Sequence, residues 1–260
     1  MEIAFHLEHR KHINFNISVI LIFCELEFEN FMRVITWNCN LSLAKKLDSL
    51  LELDPDVAVI QECEEDLKVP EGYSYIWSGN NPRKGLGVLA KNLKIVLEPS
   101  WQKEWTYFLP ISIPEKNLRL VATWAYNHRA VRFGTEYVGS SLEVIKELSE
   151  WIAGGRSLFV GDFNNSIIWD KVNGKFNFAD ISSALNSLGL ESAYHHLTKE
   201  LNGSEVKSTF YHTKNPEKGY HIDYCFVQDS LEIRSVEIPE YDAWRSKSDH
   251  VPVILDLIVN

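Results

Sequence analysis

The ten residues GDFNNSIIWD, Gly161 to Asp170, follow the apolar run Leu158–Phe159–Val160. SLFVGDFN reads as a buried strand, because a continuous apolar run suits a strand covered on both faces. Yet it ends in an acid, an aromatic and two amides: Asp162, Phe163, Asn164 and Asn165. Polar groups beside a core must be hydrogen-bonded, paired or turned toward a ligand. The reading of this strand end decides both the fold and the chemistry.

The same pattern recurs along the chain. Asn38 ends VITWN, Glu62 ends VAVIQE, and Asn127 and His128 follow LVATWAY. Asp223 sits inside YHIDYCFV, and Asp249 and His250 precede VPVILDL. Any one of these alone reads most simply as a capped or solvated strand end. Six segments that each bring an acid, an amide or an imidazole to an apolar run point to one shared polar site. Carboxylates and amide oxygens are hard donors that suit Mg2+, or Mn2+, better than zinc. An Asp beside a His offers a base and its orienter. Metal, base and amides together are what hydrolysis of a phosphate ester needs.

Between these points strands and helices alternate. MRVITWN and DVAVIQE read as strands. SLAKKLDSLLELD reads as an amphipathic helix with Ser42 as its N-cap. GLGVLAK and LKIVLEP read as a hairpin or paired strands, and ISIPEKNLRLVATWAY as two strands around a turn at Glu115–Asn117. SSLEVIKELSEWIAGG is expected to form a helix closed by Gly154–Gly155. FADISSALNSLGLESAY is expected to form a helix with Gly189 near its end. STFYHT, YHIDYCFVQ, LEIRSVEIPE and VPVILDLIV supply four closing strands. Many strands with few helices imply a mixed α/β architecture.

At 260 residues and 45% hydrophobic content, the chain can bury a substantial core. Its net charge is −10. Residues 1–31 hold two basic and five acidic side chains, so −7 belongs to the remainder. Charge alone will not hold nucleic acid on such a surface; a local patch or bound metal ions must supply the positive field. Cys24, Cys39, Cys63 and Cys225 form no CxxC pair, which argues against structural zinc and for a reducing, cytoplasmic setting. Cys39 and Cys63 read as small buried hydrophobes. The apolar stretch Ile17 to Cys24 is too short to span a membrane. Residues 1–31 are expected to be an extension, and residues 32–260 the catalytic domain. No obligate protein partner is evident.

The ordered set TWNCN, VIQECE, KGLGVL, GDFN, HIDYCFV and SDHVPV resembles the endonuclease/exonuclease/phosphatase superfamily over Met32 to about Val259. That superfamily includes exonuclease III-like and pancreatic-type deoxyribonuclease-like metal-dependent phosphoesterases. The resemblance implies a deoxyribonuclease-like two-sheet α/β sandwich, four-layered, with mixed sheets flanked by helices and a site at one mouth. It implies that Glu62 is the main metal ligand, with Asn38 and Asp249 beside it. Asp162 would position or deprotonate the attacking water, and Asn164 would hold the scissile phosphate. His250 would contact that phosphate, oriented by Asp223. Asn127 fits the spacing of an asparagine in the apurinic endonuclease motif.

One departure from the pattern matters. Many members carry a His or Tyr where this chain has Trp124, and an indole gives no proton in acid catalysis. His128, Tyr126 or metal-bound water remain open as the leaving-group acid. Among further substrate contacts, Lys84 could meet a phosphate with Arg83 or merely belong to a charged turn before a strand. His221 alternates with Asp223 on one strand face and could contact substrate. Trp124 and Tyr126 fall at the same mouth, and Trp169 and Asp170 could wall it. Trp101 and Trp105 read better as core than as base-stacking residues.

The sequence leaves three functions open. One is a Mg2+-dependent phosphodiester hydrolase acting on DNA or RNA. Another is a phosphatase or phosphodiesterase for a small phosphorylated molecule, which the acidic charge favours. The third is a non-catalytic binding member, which the retained Glu62, Asp162, Asn164, Asp249 and His250 argue against.

Overall fold

The structure, a computed structural model, describes residues 31–101, 105–126, 137–174 and 177–259. In chain order its strands begin with β1 (Phe31–Asn38), β2 (Val57–Cys63), β3 (Tyr73–Asn81), β4 (Lys84–Lys91), β5 (Val96–Leu97), β6 (Phe108–Ile113) and β7 (Leu118–Trp124). They continue with β8 (Arg156–Asp162), β9 (Leu190–Ser192), β10 (Phe210–Tyr211), β11 (Gly219–Tyr220), β12 (Asp223–Gln228), β13 (Glu232–Glu237) and β14 (Val253–Ile258). Two six-stranded sheets result, with orders β13-β14-β1-β2-β4-β3 and β5-β6-β7-β8-β12-β9, while β10 and β11 pair separately. Each large sheet is mixed, with one parallel pair: β1 with β2, and β7 with β8.

The apolar runs are continuous because both faces of the central strands are covered. Leu158 and Val160 point into a core shared with Val34, Val59 and Leu255 of the first sheet. Phe159, between them, points the other way, into a second cluster with Phe163, Ile181, Leu185 and Val144. Cys225 and Phe226 divide in the same manner. Period-two alternation therefore puts one set of side chains between the sheets and the other under helices Tyr137–Glu147, Ser149–Ala153 and Phe178–Ser187. The two-sheet sandwich expected from the sequence is present.

Four local expectations change. The stretch from Ser42 does not form one helix. Asn40, Leu41 and Ser42 all have left-handed backbone (φ 50, 66 and 52°), and Ser42 caps nothing. The Glu64 carboxylate takes the Leu43 and Ala44 N–H groups instead, each at 2.8 Å. The Lys46 ammonium is drawn to the carbonyls of Cys39, Asn40 and Lys247, which splits the segment into a turn and a short helix, Leu47–Leu51. GLGVLAK and LKIVLEP do not pair either. β4 lies between β2 and the unforeseen β3, whereas Val96–Leu97 joins the other sheet. The helix before Gly154 is broken at Leu148. The helix from Phe178 ends at Ser187, and β9 and a new helix, Ala193–Thr198, follow Gly189 (φ 79°).

Candidate active site

Side chains gather where the two parallel pairs end. Register sets Trp124 beside Asp162, and Asp223 opposite Asp162 on the antiparallel neighbour. Crevices beyond the carboxyl ends of parallel strands are the usual ligand sites of open α/β sheets. Gly161 makes the approach possible: a Cβ there would stand 1.9 Å from the Thr123 carbonyl oxygen. After Asp162 the chain turns at Asn164, in left-handed backbone (φ 49°).

Asp162 is fully buried. Its Oδ1 accepts the Asn164 N–H at 2.7 Å, and its Oδ2 accepts the side-chain amides of Asn38 (3.0 Å) and Asn164 (3.1 Å). Burial and the nearby Asp223 raise its pKa, against the opposing pull of His250 and the amides. His250, also buried, has Nδ1 2.9 Å from Asp223 Oδ2. Burial alone would expel charge from this imidazole, but the charge and hydrogen bond of Asp223, with Asp162 and Asp249, outweigh it and raise its pKa. One potential donor atom from each of Asp162, Asp223 and His250 lies within 4.8 Å of the others. Asp223 keeps Oδ1 buried and without a partner.

Asn38 joins this cluster to a second one. Its Nδ2 lies 3.0 Å from Asp162 and 3.5 Å from Glu62 Oε1. Glu62 occupies a bulge in the β2–β4 pairing and has left-handed backbone (φ 61°). For a non-glycine residue that conformation carries strain, and a bulge re-aims its side chain. Lys84 Nζ sits 3.2 Å from Glu62 Oε2. It also lies over the rings of Trp124 and Tyr126, at 5.3 and 5.1 Å. On the other side, Asp249 Oδ1 accepts from Asn40 Nδ2 at 2.9 Å, and Asn38 Oδ1 accepts the Asn40 N–H at 3.0 Å.

Most of the residues singled out in the sequence thus meet at one mouth: Asn38, Glu62, Lys84, Asp162, Asn164, Asp223, Asp249 and His250. Two substrate contacts do not hold as expected. Trp124 is buried, stacked beneath the exposed Tyr126 at 4.4 Å, so its ring supports the surface rather than forming it. His221 is buried between Tyr194 and Tyr224, with Nδ1 2.9 Å from the Lys207 carbonyl oxygen, and faces away from solvent. Burial lowers its pKa. Asn127 and His128 lie outside the described residues. Asp170 proves to be a helix cap, accepting the Phe178 and Ala179 N–H groups.

Sequence reasoning missed the supports. Buried Ser248 donates to the Asn38 carbonyl (2.8 Å) and accepts the His250 N–H (3.0 Å), tying β1 to the imidazole. Thr209 Oγ1 accepts the N–H groups of Ile222 and Asp223, each at 3.0 Å. Phe210 packs on His250 at 4.7 Å. Ser248 stood within SDHVPV and Asn40 within TWNCN, but nothing in a single sequence separates a supporting hydroxyl from any other.

The donor set suits a hard divalent cation. The Glu62 carboxylate already faces a cation and, among the described residues, accepts only one long amide contact, so Oε1 and Oε2 retain capacity. Asp249 and the Asn38 and Asn40 amides add oxygen donors next to it. The three described cysteines, Cys39, Cys63 and Cys225, are buried and unbridged.

No family model matches the chain, and no curated protein does. Solved structures do. A 3' phosphatase from Neisseria, NExo, bound to a product DNA hairpin, aligns with TM-score 0.64 at 19% identity over 86% of this chain and 98% of its own. The AP endonuclease LMAP from Leishmania major aligns with TM-score 0.66 at 17% identity, covering 88% of each chain. An endonuclease/exonuclease/phosphatase protein from Beutenbergia cavernae aligns with TM-score 0.61 at 15% identity over 89% of this chain and 72% of its own. The chain therefore has the two-sheet α/β fold of the endonuclease/exonuclease/phosphatase structures.

Proposed function

We propose that the protein is a Mg2+-dependent phosphodiester hydrolase acting on DNA or RNA, with Mn2+ able to replace Mg2+. The observation that carries this reading is the buried Asp162–Asp223–His250 cluster, joined through Asn38 to Glu62. Glu62, Asn38 and Asp249 would hold the metal, which supplies Lewis-acid neutralisation of the phosphoryl oxygens. Asp162, its proton affinity raised by burial, accepts the proton of the attacking water. The Asn38 and Asn164 amides fix the direction of that carboxylate. Asn164 also reaches the scissile phosphate. His250, kept cationic by Asp223, faces the charge that develops on phosphorus. Trp124 gives no proton, so protonation of the leaving oxygen falls to Tyr126, to His128 or to water.

The neighbour bound to a DNA hairpin favours nucleic acid as the substrate. The charge of −7 on residues 32–260 favours the second reading, a small phosphorylated molecule. No described helix is long and apolar enough to cross a membrane; the three buried, unbridged thiols support the cytoplasmic setting proposed from the sequence. A panel of end-labelled single-stranded, duplex, abasic-site and 3'-phosphate oligonucleotides, in Mg2+ and in EDTA, separates these readings. Mg2+-dependent cleavage lost in His250→Ala supports a nuclease, and its cut pattern gives the type. No cleavage of any of them overturns the nucleic-acid reading and points to small phosphate esters.

A further inference from the structure

Glu62 does not wait with an empty carboxylate. The Lys84 ammonium rests 3.2 Å from Oε2, one of the two oxygens that Glu62 offers to a metal ion. The same ammonium has a second set of contacts. Its Nζ lies over the faces of Trp124 and Tyr126, which stack on each other at 4.4 Å. Ring faces attract an ammonium without consuming its hydrogen-bond donors. Lys84 opens β4 in the first sheet, and Trp124 closes β7 in the second. The ammonium therefore spans the mouth between the sheets, with an acid on one side and an aromatic pair on the other. Both Lys84 and Glu62 are partly exposed, at 30% and 18% of their side chains, so the ion pair is weak enough to open.

Two cations cannot share one carboxylate oxygen at contact distance without strong mutual repulsion. We infer that Lys84 is a built-in, displaceable counter-cation of Glu62: it occupies the carboxylate when no metal is bound, yields it to a divalent ion, and keeps its ring contacts at the edge of the substrate phosphate. This inference rests on the metal role proposed for Glu62. It accounts for two things together. Trp124 stands where an acid-bearing side chain was expected, and it serves as the lysine's seat. Glu62, on a strained bulge, keeps a partner while the site is without metal. The lysine would thereby lower metal affinity and tie metal entry to release of a positive charge toward the substrate.

The test is Mn2+ binding to the full-length protein, read from the loss of the free-ion electron paramagnetic resonance signal at neutral pH, with Mg2+ as competitor. The variants are Lys84→Met, Lys84→Arg and Glu62→Gln. Lys84→Met removes the charge and keeps the apolar stem; it should bind Mn2+ about fivefold tighter than wild type, the scale of one partly exposed ion pair. Lys84→Arg keeps a cation and should bind no tighter than wild type. Unchanged or weaker binding in Lys84→Met, with binding still lost in Glu62→Gln, overturns the displacement and leaves the metal role of Glu62 standing. Equal tightening in Lys84→Met and Lys84→Arg overturns it as well, because packing rather than charge would then be the cause. Binding that is the same in wild type and Glu62→Gln overturns the metal role itself.

Discussion

His250 is buried, and yet its pKa is raised, because Asp223 lies 2.9 Å away in a pocket with little water to screen the pair. Asp223→Asn keeps the shape and removes the charge. It should lower kcat by about 10²–10⁴-fold, and the His250 imidazole, followed by NMR, should titrate at lower pH than in wild type. An unchanged imidazole titration would refute the electrostatic role. Gly161 carries a different constraint. Gly161→Ala pushes a Cβ to 1.9 Å from backbone of the neighbouring strand, which cannot swing aside. A loss of about 3 kcal/mol or more in urea unfolding is expected; a loss under 1 kcal/mol would show that β7 and β8 can separate locally. At this scale the acids, amides and imidazole were legible, since they stand out against the apolar runs they end. Ser248, Thr209 and Asn40 were not. Their work is to hold other site residues, and a hydroxyl or amide shows that only when its partners, up to 210 positions away for Ser248, are in place.

Elements were legible where one force dominated. β2, β8, β12 and β14 are covered on both faces, so their apolar runs announce them. β3 was missed because most of its residues are only partly buried and its pattern is blurred. The Ser42 helix failed because a tertiary contact, the Lys46 ammonium on three carbonyls, outweighs local helical preference. A similar tertiary anchor fixes the loop after helix Ala193–Thr198. Glu205 Oε1 takes His195 Nε2 at 3.0 Å and the Gly203 N–H at 2.9 Å. Burial pushes the Glu205 pKa up, but these hydrogen bonds prevail and hold it at about 2 against an ordinary 4.5. A carboxylate with a depressed pKa stabilises the fold above its unfolded pKa, and that contribution fades as pH falls toward 2. Acid unfolding of wild type should thus show a loss of about 2–3 kcal/mol between about pH 4.5 and pH 2 that Glu205→Gln lacks. Parallel acid profiles for the two proteins would refute the anchor.

For the whole molecule, two mixed sheets press their inner faces together, and the parallel pair of each ends at the same mouth. That convergence assembles residues from position 38 to position 250 into one site. The sandwich was legible from strand number and from the ordered motifs, whereas substrate choice was not. In a chain of net charge −10 the positive field at the mouth is local and comes from Lys84 and His250. The most direct test of the proposed chemistry is single-turnover hydrolysis of an oligonucleotide in 18O-labelled water with Mg2+, comparing wild type with Asp162→Asn. The expected result is one labelled oxygen in the terminal phosphate released at each cleavage and none in the hydroxyl end of the other fragment, with Asp162→Asn slower by about 100-fold or more. Label absent from the phosphate, or Asp162→Asn cleaving at the wild-type rate, would contradict water attack on phosphorus from the Asp162 side.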